Sequence, residues 1–563
     1  MPDPFQVTVA FVNELAAHGL RDVCLSPGGR STPLAVALAR HPDIRHWIHH
    51  DERSSAFFAL GIAKETGRPV AVVTTSGTAA AELYPAVIEA RYGQTGLLLL
   101  TADRPPELRG TGSNQTIDQV DLYGSSVKWF HDTPLPEATT LARTQALAAR
   151  AWTSAIAPPR GPVHINLPFA EPLTPTGDIP ELGLADAAAS WTTTATSPDE
   201  ESLRRLAAAL EGKRGVILAG PCNDPLLATA TTDLARALAW PVLADPLSGL
   251  RTGGHDLSQV LATGDAMARA GFLDRVAPEA VLRFGSVPTS KAVNSWLRSN
   301  PHMTHAVVNL LGAPDPSGSA GIVMAADPGP TATGVAKLVT RAAPPDWLEQ
   351  WMEAEASARE VLDEVTAHGF SELAIVAAVL GSLPSPAKLW VAASMPIRYL
   401  DLLQPTSSTS LSLRSNRGAS GIDGFISSGL GTAAVASDPV YLLAGDLSLV
   451  HDMTALASAS RYNLDATIIT INNDGGAIFH MLPQASLPEF EEIFVAPHGL
   501  DFEKAADLFD IRYHRPQNTT RLAELVSQAP AGPRLIEVRT RREAAAEAIE
   551  ELVGRLEVAL RRR

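Results

Sequence analysis

Cysteine is nearly missing from this chain, with only Cys24 and Cys222 in 563 residues. Two thiols cannot staple a fold of this length, so a disulfide-framed scaffold is excluded and each is read as a buried thiol. Long apolar runs are also missing. None approaches the roughly 20 residues that cross a bilayer, and the N-terminus carries no signal-peptide pattern, so no membrane insertion and a cytoplasmic location are expected. Positive charge is in deficit: a net charge of −16 argues against non-specific nucleic-acid binding, while leaving local basic clusters free to hold small anions. No Gly-x-x-x-x-Gly-Lys-Ser/Thr phosphate loop occurs, and no Ser-His or Cys-His arrangement marks a side-chain nucleophile. Hydrophobic residues make up 45% and charged residues 19%, enough apolar material for several buried cores.

A chain of this length holds several domains, on a prior of about 150 residues each. The stretch from Pro172 to Ser197 is rich in Pro, Thr and Ala, and Ala342-Ala343-Pro344-Pro345 is a second interruption. Both read as linkers, dividing the chain into 1–185, 186–343 and 344–563. The closing segment, Arg541 to Arg563, alternates Glu, Ala, Leu and Arg at helical spacing. It predicts a surface helix lying on its own domain.

The most informative features are two motifs set 27 residues apart, measured from Asp446 to Asn473. An apolar run, Val440 to Ala444, precedes Gly445-Asp446-Leu447-Ser448; another, Ala466 to Ile471, precedes Asn472-Asn473-Asp474-Gly475-Gly476. Each motif therefore falls where a buried strand ends and a loop begins, the usual ligand position in an α/β sheet. A carboxylate, an amide oxygen and a nearby backbone carbonyl form a hard oxygen site suited to Mg²⁺. The flanking glycines admit a diphosphate, and a helix opening near Ser448 offers N–H groups to it. The first segment echoes this pattern. Strand Val70–Thr74 ends in Thr75-Ser76-Gly77-Thr78, and strand Leu97–Leu100 ends in Thr101-Ala102-Asp103-Arg104-Pro105. In the middle segment, Gly215 to Pro221 and Ala280 to Gly285 are further buried strands ending in glycine. The fold class is α/β, three doubly wound domains in a row. Gly429-Leu430-Gly431-Thr432-Ala433-Ala434 looks like a dinucleotide fingerprint but follows no clear strand, so tight helix packing is its reading.

Asp51-Glu52-Arg53 follows a strand marked by Ile44, Trp47 and Ile48, and Ser26-Pro27-Gly28-Gly29-Arg30 follows strand Asp22–Leu25. With the Thr75–Thr78 loop, three strand ends carry special loops on one edge. Arg30, Arg104, Arg398 and Arg417 stand on Gly-rich or Asn/Gln-bearing turns. Because a guanidinium pairs bidentately with a carboxylate, four such arginines suggest a polycarboxylate substrate.

Asp446, the 27-residue spacing and Asn473 resemble the thiamine diphosphate (ThDP)/Mg²⁺ motif of ThDP-dependent decarboxylases and carboligases. Gly161-Pro162-Val163-His164-Ile165-Asn166-Leu167-Pro168 is similar to the segment closing the pyrimidine-binding domain there. Four strings match one family more closely: SPGGRSTPL, DERSSAFFALGIAKETGRPVAVVTTSGTAAAELYPAVIEA, LTADRPPELRGTGSNQTIDQ and SNRGASGIDG. They resemble the 2-succinyl-5-enolpyruvyl-6-hydroxy-3-cyclohexene-1-carboxylate synthase family, ThDP enzymes of menaquinone biosynthesis. The resemblance covers the first and third segments well and the middle one in length and loose pattern.

That resemblance implies pyrimidine-binding, central and diphosphate-binding domains in order. It places ThDP between the first domain of one chain and the third of another, in a homodimer at least and a homotetramer by expectation. Glu52 matches the glutamate that hydrogen-bonds the aminopyrimidine N1′. Asp446, Asn473 and the carbonyl of Gly475 match the ligands of Mg²⁺ or Mn²⁺. Ile422 matches the apolar residue that props the cofactor into its bent shape, and Pro27, Gly445 and Ser448 match further cofactor positions. Arg30, Arg104, Asn114, Gln115, Ser394, Arg398 and Arg417 match substrate contacts, Ile478, Phe479 and Leu482 an apolar wall, and Lys291 a basic residue from the middle domain. The implied reaction is decarboxylation of 2-oxoglutarate and 1,4-addition of the resulting succinyl unit to isochorismate. An acetolactate-synthase-like carboligase is the alternative. Two departures bear on substrate affinity: Gly29 stands where the family often has serine, and Ala292 where some members carry a second basic residue.

Overall fold

The computed structural model describes residues 4–175, 195–312 and 314–561. Most of the Pro/Thr/Ala-rich stretch read as the first linker, residues 176–194, lies outside them. Three six-stranded sheets, all parallel, follow one another along the chain. In the first, the strands lie in the order Arg45–Ile48, Asp22–Leu25, Val70–Thr74, Leu97–Asp103, Val163–Pro168, Trp129–Asp132. The third repeats that pattern: Leu411–Arg414, Ala387–Val391, Val440–Gly445, Ala466–Asn472, Arg534–Arg539, Arg512–His514. The similarity of the first and third segments is therefore one of topology as well as of motif spacing. The middle sheet is wound differently, in the order Ile322–Met324, Thr304–Val308, Ala280–Phe284, Gly215–Ala219, Val242–Ala244, Val260–Leu261.

Central strands such as Val70–Thr74, Leu97–Asp103 and Ala466–Asn472 are buried throughout, as expected where helices cover both faces of a parallel sheet. In the first and third sheets the chain winds one way from the second strand of the order and then returns to its other side. That switch opens a crevice at the strand ends. In the first sheet the crevice lies between the loops after Leu25 and Thr74; in the third, between those after Val391 and Gly445. Pro27, Arg30 and Ser76 stand on the first crevice, Ser394 and Asp446 on the second.

The first and third domains meet through helices Glu52–Thr66 and Phe425–Ala433. Glycine sets how close they come. A Cβ on Gly61 would lie 1.9 Å from the Ser428 carbonyl oxygen, and one on Gly431 would lie 2.0 Å from that of Phe58. Thr432 Oγ1 donates to Gly61 O at 3.1 Å across the same contact. The Gly429–Ala434 string is thus a packing surface, as its sequence context predicts.

Beside that contact lies Asp452, fully buried, accepting from Ser427 N–H (2.7 Å), Ser427 Oγ (3.0 Å) and Ser54 Oγ (3.2 Å). Burial pushes its carboxyl up to about 6 despite these donors. The folded protein therefore holds this proton more tightly than the unfolded chain does, and the associated stability is lost as pH rises from about 4 to about 6. Asp452→Asn removes that dependence. Thermal melts across the window should show wild type losing ground to the variant, and parallel curves would contradict the assignment.

The closing helix, Ala544–Arg561, lies on helix Pro345–Thr366 of the third segment, and also reaches helix Gly264–Arg269 of the middle one. Arg275 Nη2 donates to Leu560 O at 3.0 Å. It bridges two domains instead of resting on its own, because its apolar stripe, Ile549, Leu552, Leu556 and Leu560, joins a core shared by both.

Candidate active site

At the carboxyl ends of the two central strands of the third sheet, Val440–Gly445 and Ala466–Asn472, the two motifs close on one another. Asp446 Oδ2 accepts from Asn473 N–H (3.1 Å) and Gly475 N–H (2.9 Å), and Oδ1 accepts from Leu447 N–H (2.7 Å). The helix opens at Asp446 itself, two residues before the position the sequence suggested; Gly445 precedes it and Ser448 is buried in its first turn. Gly475 has φ +135°, and a Cβ there would lie 2.3 Å from Val495 O, so only glycine fits this turn.

Asn473 Nδ2 donates to Glu372 Oε1 at 2.9 Å, which fixes the orientation of the amide. Its Oδ1 is buried without a hydrogen-bond partner. A buried, unpaired amide oxygen beside a carboxylate is costly unless something binds it, and a divalent cation satisfies both oxygens. Two residues not anticipated from the sequence support this corner. Glu372 also accepts from Tyr399 Oη (2.7 Å) and Thr540 Oγ1 (2.9 Å), tying the Asn473 loop to helix Met395–Leu403, which carries Arg398. His498 Nε2 sits 3.4 Å from Asp446 Oδ2, while its Nδ1 accepts from Leu500 N–H at 3.0 Å, so the ring proton faces Asp446. A lone acid heading the apolar helix Glu372–Ser382 was a readable signal for Glu372; nothing local marks His498.

Glu52 heads helix Glu52–Thr66 behind the Asp51 cap, which accepts from Ser54 N–H. Burial lifts its carboxyl above the ordinary range, and the nearby Asp51 and Glu82 charges add to the effect. Its neighbours are tied to the third domain of the same chain: Thr454 Oγ1 donates to Asp51 Oδ2 (2.8 Å) and Arg53 Nη2 to His451 O (2.8 Å). Among the described residues, no hydrogen bond or ion pair joins Glu52 to Asp446, Asn473 or Gly475 within one chain.

The arginines gather in two groups. In the first crevice Arg30 donates to Phe169 O (2.8 Å), Arg104 donates to Ser76 Oγ, and Gln115 Nε2 donates to Ser76 O (3.1 Å). Burial and the Arg104 charge lower the Arg30 guanidinium from its usual value, opposed by the exposed Glu171 at 3.3 Å. Asn114 is exposed on the same loop as Gln115, and Pro27 is exposed beside Arg30. A Cβ on Gly28 would collide with Thr75 at 2.2 Å, whereas one on Gly29 meets nothing within 4 Å. The serine common at position 29 in the family therefore has room here.

In the second group burial lowers the Arg398 guanidinium, and the Arg417 and Arg269 charges lower it further against the opposing pull of Asp265. Arg269 and Asp265 pair at 2.6 Å, and Ser290 Oγ donates to Asp265 Oδ1 at 2.5 Å. Ser290 caps the helix that Lys291 opens, so the middle domain delivers Lys291 and Arg269 to one corner. Arg269 was not anticipated from the sequence. Ser394, at φ +69°, begins the helix of Arg398 and accepts from it through its carbonyl. Ile422 is half-buried in the turn before Phe425–Ala433. Ile478 and Phe479 lie on the short turn Ala477–Met481, with Leu482 just beyond; all are half-buried, and Phe479 packs on Phe494 at 5.7 Å. Like charges crowded with few matching carboxylates favour a bound anion.

Three domain families account for the arrangement. The N-terminal TPP binding domain of thiamine pyrophosphate enzymes matches residues 5–122, the middle domain of thiamine pyrophosphate enzymes 184–391, and the C-terminal TPP binding domain 406–538. Fold and site thus define a thiamine pyrophosphate enzyme. Among similar proteins, a 2-succinyl-5-enolpyruvyl-6-hydroxy-3-cyclohexene-1-carboxylate synthase of Chloroflexus aurantiacus is 42% identical over 553 residues, covering 95% of this chain and 93% of that protein. Proteins of the same name from Haloarcula marismortui and Geobacillus kaustophilus are each 42% identical, covering 94% and 96% of this chain and the same shares of their own lengths. The chain belongs to this synthase family.

Proposed function

We propose that this chain decarboxylates 2-oxoglutarate and adds the succinyl unit to isochorismate, giving 2-succinyl-5-enolpyruvyl-6-hydroxy-3-cyclohexene-1-carboxylate for menaquinone biosynthesis. The observation that carries the reading is Asn473 Oδ1, buried and unpartnered beside Asp446 at the crevice of the third sheet. Asp446, Asn473 and the Gly475 carbonyl would hold Mg²⁺ or Mn²⁺, with Gly445 and Ser448 beside the diphosphate. Glu52, Pro27 and Ile422 would flank the remainder of ThDP. When bound, that cofactor supplies a carbon nucleophile and an electron sink for the decarboxylation.

The chain's own work is placement and proton handling. Glu52, with its carboxyl raised above the ordinary carboxylate value by burial, can hold or release a proton at its Oε atoms. Arg30, Arg104, Asn114 and Gln115 on one side, and Lys291, Ser394, Arg398 and Arg417 on the other, hold carboxylates. Ile478, Phe479 and Leu482 exclude water from the reacting carbons. Two arginine groups suit two substrates that each carry two carboxylates. No helix among the described residues is long and apolar enough to cross a membrane, and we place the enzyme in the cytoplasm. The working unit is at least a homodimer, with a homotetramer expected, because Glu52 of one chain would complete the metal corner of another.

Isochorismate loss should require 2-oxoglutarate, ThDP and a divalent cation together. Turnover of 2-oxoglutarate with a small neutral acceptor, and none with isochorismate, would instead indicate an acetolactate-synthase-like carboligase. Arg417→Ala should raise KM for a carboxylate substrate by about tenfold or more while leaving ThDP affinity within about twofold. Equal losses of both in steady-state kinetics and calorimetry would contradict its placement.

A further inference from the structure

The loop between strand Leu411–Arg414 and helix Phe425–Ala433 carries Arg417 and Ile422. Its own domain holds it through Ser415 Oγ to Val391 O (2.7 Å) and Asn416 Nδ2 to Ser428 Oγ (3.0 Å), while the Gly418 and Ala419 N–H groups at its centre are held from the first domain. Two side chains of the first domain make these cross-domain bonds. Glu89, buried on helix Tyr84–Tyr92, accepts from Gly418 N–H at 2.9 Å through Oε1 and from Ala419 N–H at 2.7 Å through Oε2. Lys64, near the end of the Glu52 helix, donates to Ser415 O (2.9 Å), Asn416 Oδ1 (3.1 Å) and Glu89 Oε1 (3.1 Å). Its ammonium also lies 5.6 Å from the centre of the buried Trp390 ring.

These bonds bracket Arg417 on both sides. Asn416, held by Lys64, passes the restraint on through Nδ2 to Ser428 Oγ (3.0 Å), on the helix that follows Ile422. Backbone shape enforces the same fit. A Cβ on Gly418 would lie 2.5 Å from Glu89 O and 2.6 Å from Gly93 N, so the loop seats only with glycine there. Lys64 and Glu89 have side-chain exposures of 10% and 3%, and a nearly buried ion pair is a poor source of net stability. It is well suited to fixing one geometry.

Building on the proposed function, we propose that Lys64 and Glu89 are positioning residues: they set the Arg417 loop from the neighbouring domain, and thereby the affinity for the carboxylate substrate. Their polar partners are Ser415, Asn416, Gly418, Ala419 and each other. Their effect passes through Arg417.

The test is a mutant cycle on the full-length enzyme, with KM for each substrate, kcat and ThDP affinity measured for Lys64→Met, Glu89→Gln, Arg417→Ala and the double variants. Misplacing the loop should lower kcat/KM by roughly tenfold to a hundredfold, mainly through KM, with ThDP affinity within about twofold of wild type. In the Arg417→Ala background, Lys64→Met should add little. A full, additive loss on top of Arg417→Ala, or unchanged KM in both single variants, would overturn the proposal. Should Lys64→Met not fold, Gly418→Ala displaces the same loop from its other side and is read against Arg417→Ala in the same way. Normal substrate KM in Arg417→Ala itself would mean that the functional reading fails. A raised KM there, with normal values in Lys64→Met and Glu89→Gln, would sink only this inference.

Discussion

Glu52→Gln should lower kcat by about 10²–10⁴ while leaving ThDP bound, because the variant keeps the side chain's shape but cannot take up or release a proton. Glutamine keeps the size and one acceptor of the native side chain, so helix Glu52–Thr66, its Asp51 cap and the bonds from Arg53 and Ser54 to the third domain persist. What it loses is a titratable oxygen. Burial has already raised that carboxyl above its ordinary value, which favours the protonated form more than in a solvated glutamate. Steady-state turnover and calorimetric ThDP affinity, measured on one preparation, separate the effects. Near-normal turnover with cofactor bound would remove Glu52 from the chemistry.

Asp446→Ala has the second large effect: metal-dependent ThDP binding is lost. The substitution removes a charged group and leaves the Leu447, Asn473 and Gly475 N–H groups without their acceptor, at roughly 1–3 kcal/mol each. Its cost to cofactor affinity should exceed the roughly 10–100-fold typical of outer-shell changes around a metal. Asp446→Asn is the matched control. It keeps an acceptor for the Asn473 and Gly475 N–H groups, loses the one for Leu447 N–H and carries no negative charge, so it should be less perturbed than the alanine variant and still bind ThDP weakly in the presence of Mg²⁺. Unchanged affinity in either variant would argue against a metal at this corner.

Much of this was legible in the residues. Each motif follows an apolar run, so the strand ends of the third sheet and the loops carrying Asp446 and Asn473 could be placed from pattern alone. The same holds for Val70–Thr74, Asp22–Leu25 and Ala280–Phe284, whose observed limits match the apolar runs. Strand order was not legible. Nothing in the middle segment's local pattern says that it winds differently from its neighbours, because order is set by which edges meet. Partners drawn from distant segments were equally hidden. Arg269 and Asp265 reach the Arg398 corner from a helix of another domain, Glu372 grips Asn473 from 101 residues upstream, and Lys64 holds Asn416 from 352 residues away. The closing helix misled for a related reason: its apolar stripe predicts burial but cannot say against which domain.

The central claim is that each site draws Glu52 from one chain and Asp446 from another. It is tested by mixing two inactive variants, Glu52→Gln and Asp446→Ala, and isolating doubly tagged heterodimers. In a shared site, the intact Glu52 of one chain meets the intact Asp446 of the other, and roughly half the activity per dimer returns, one competent site of two. If both groups served a site within a single chain, every site would carry a lesion and the heterodimer would stay as inactive as its parents.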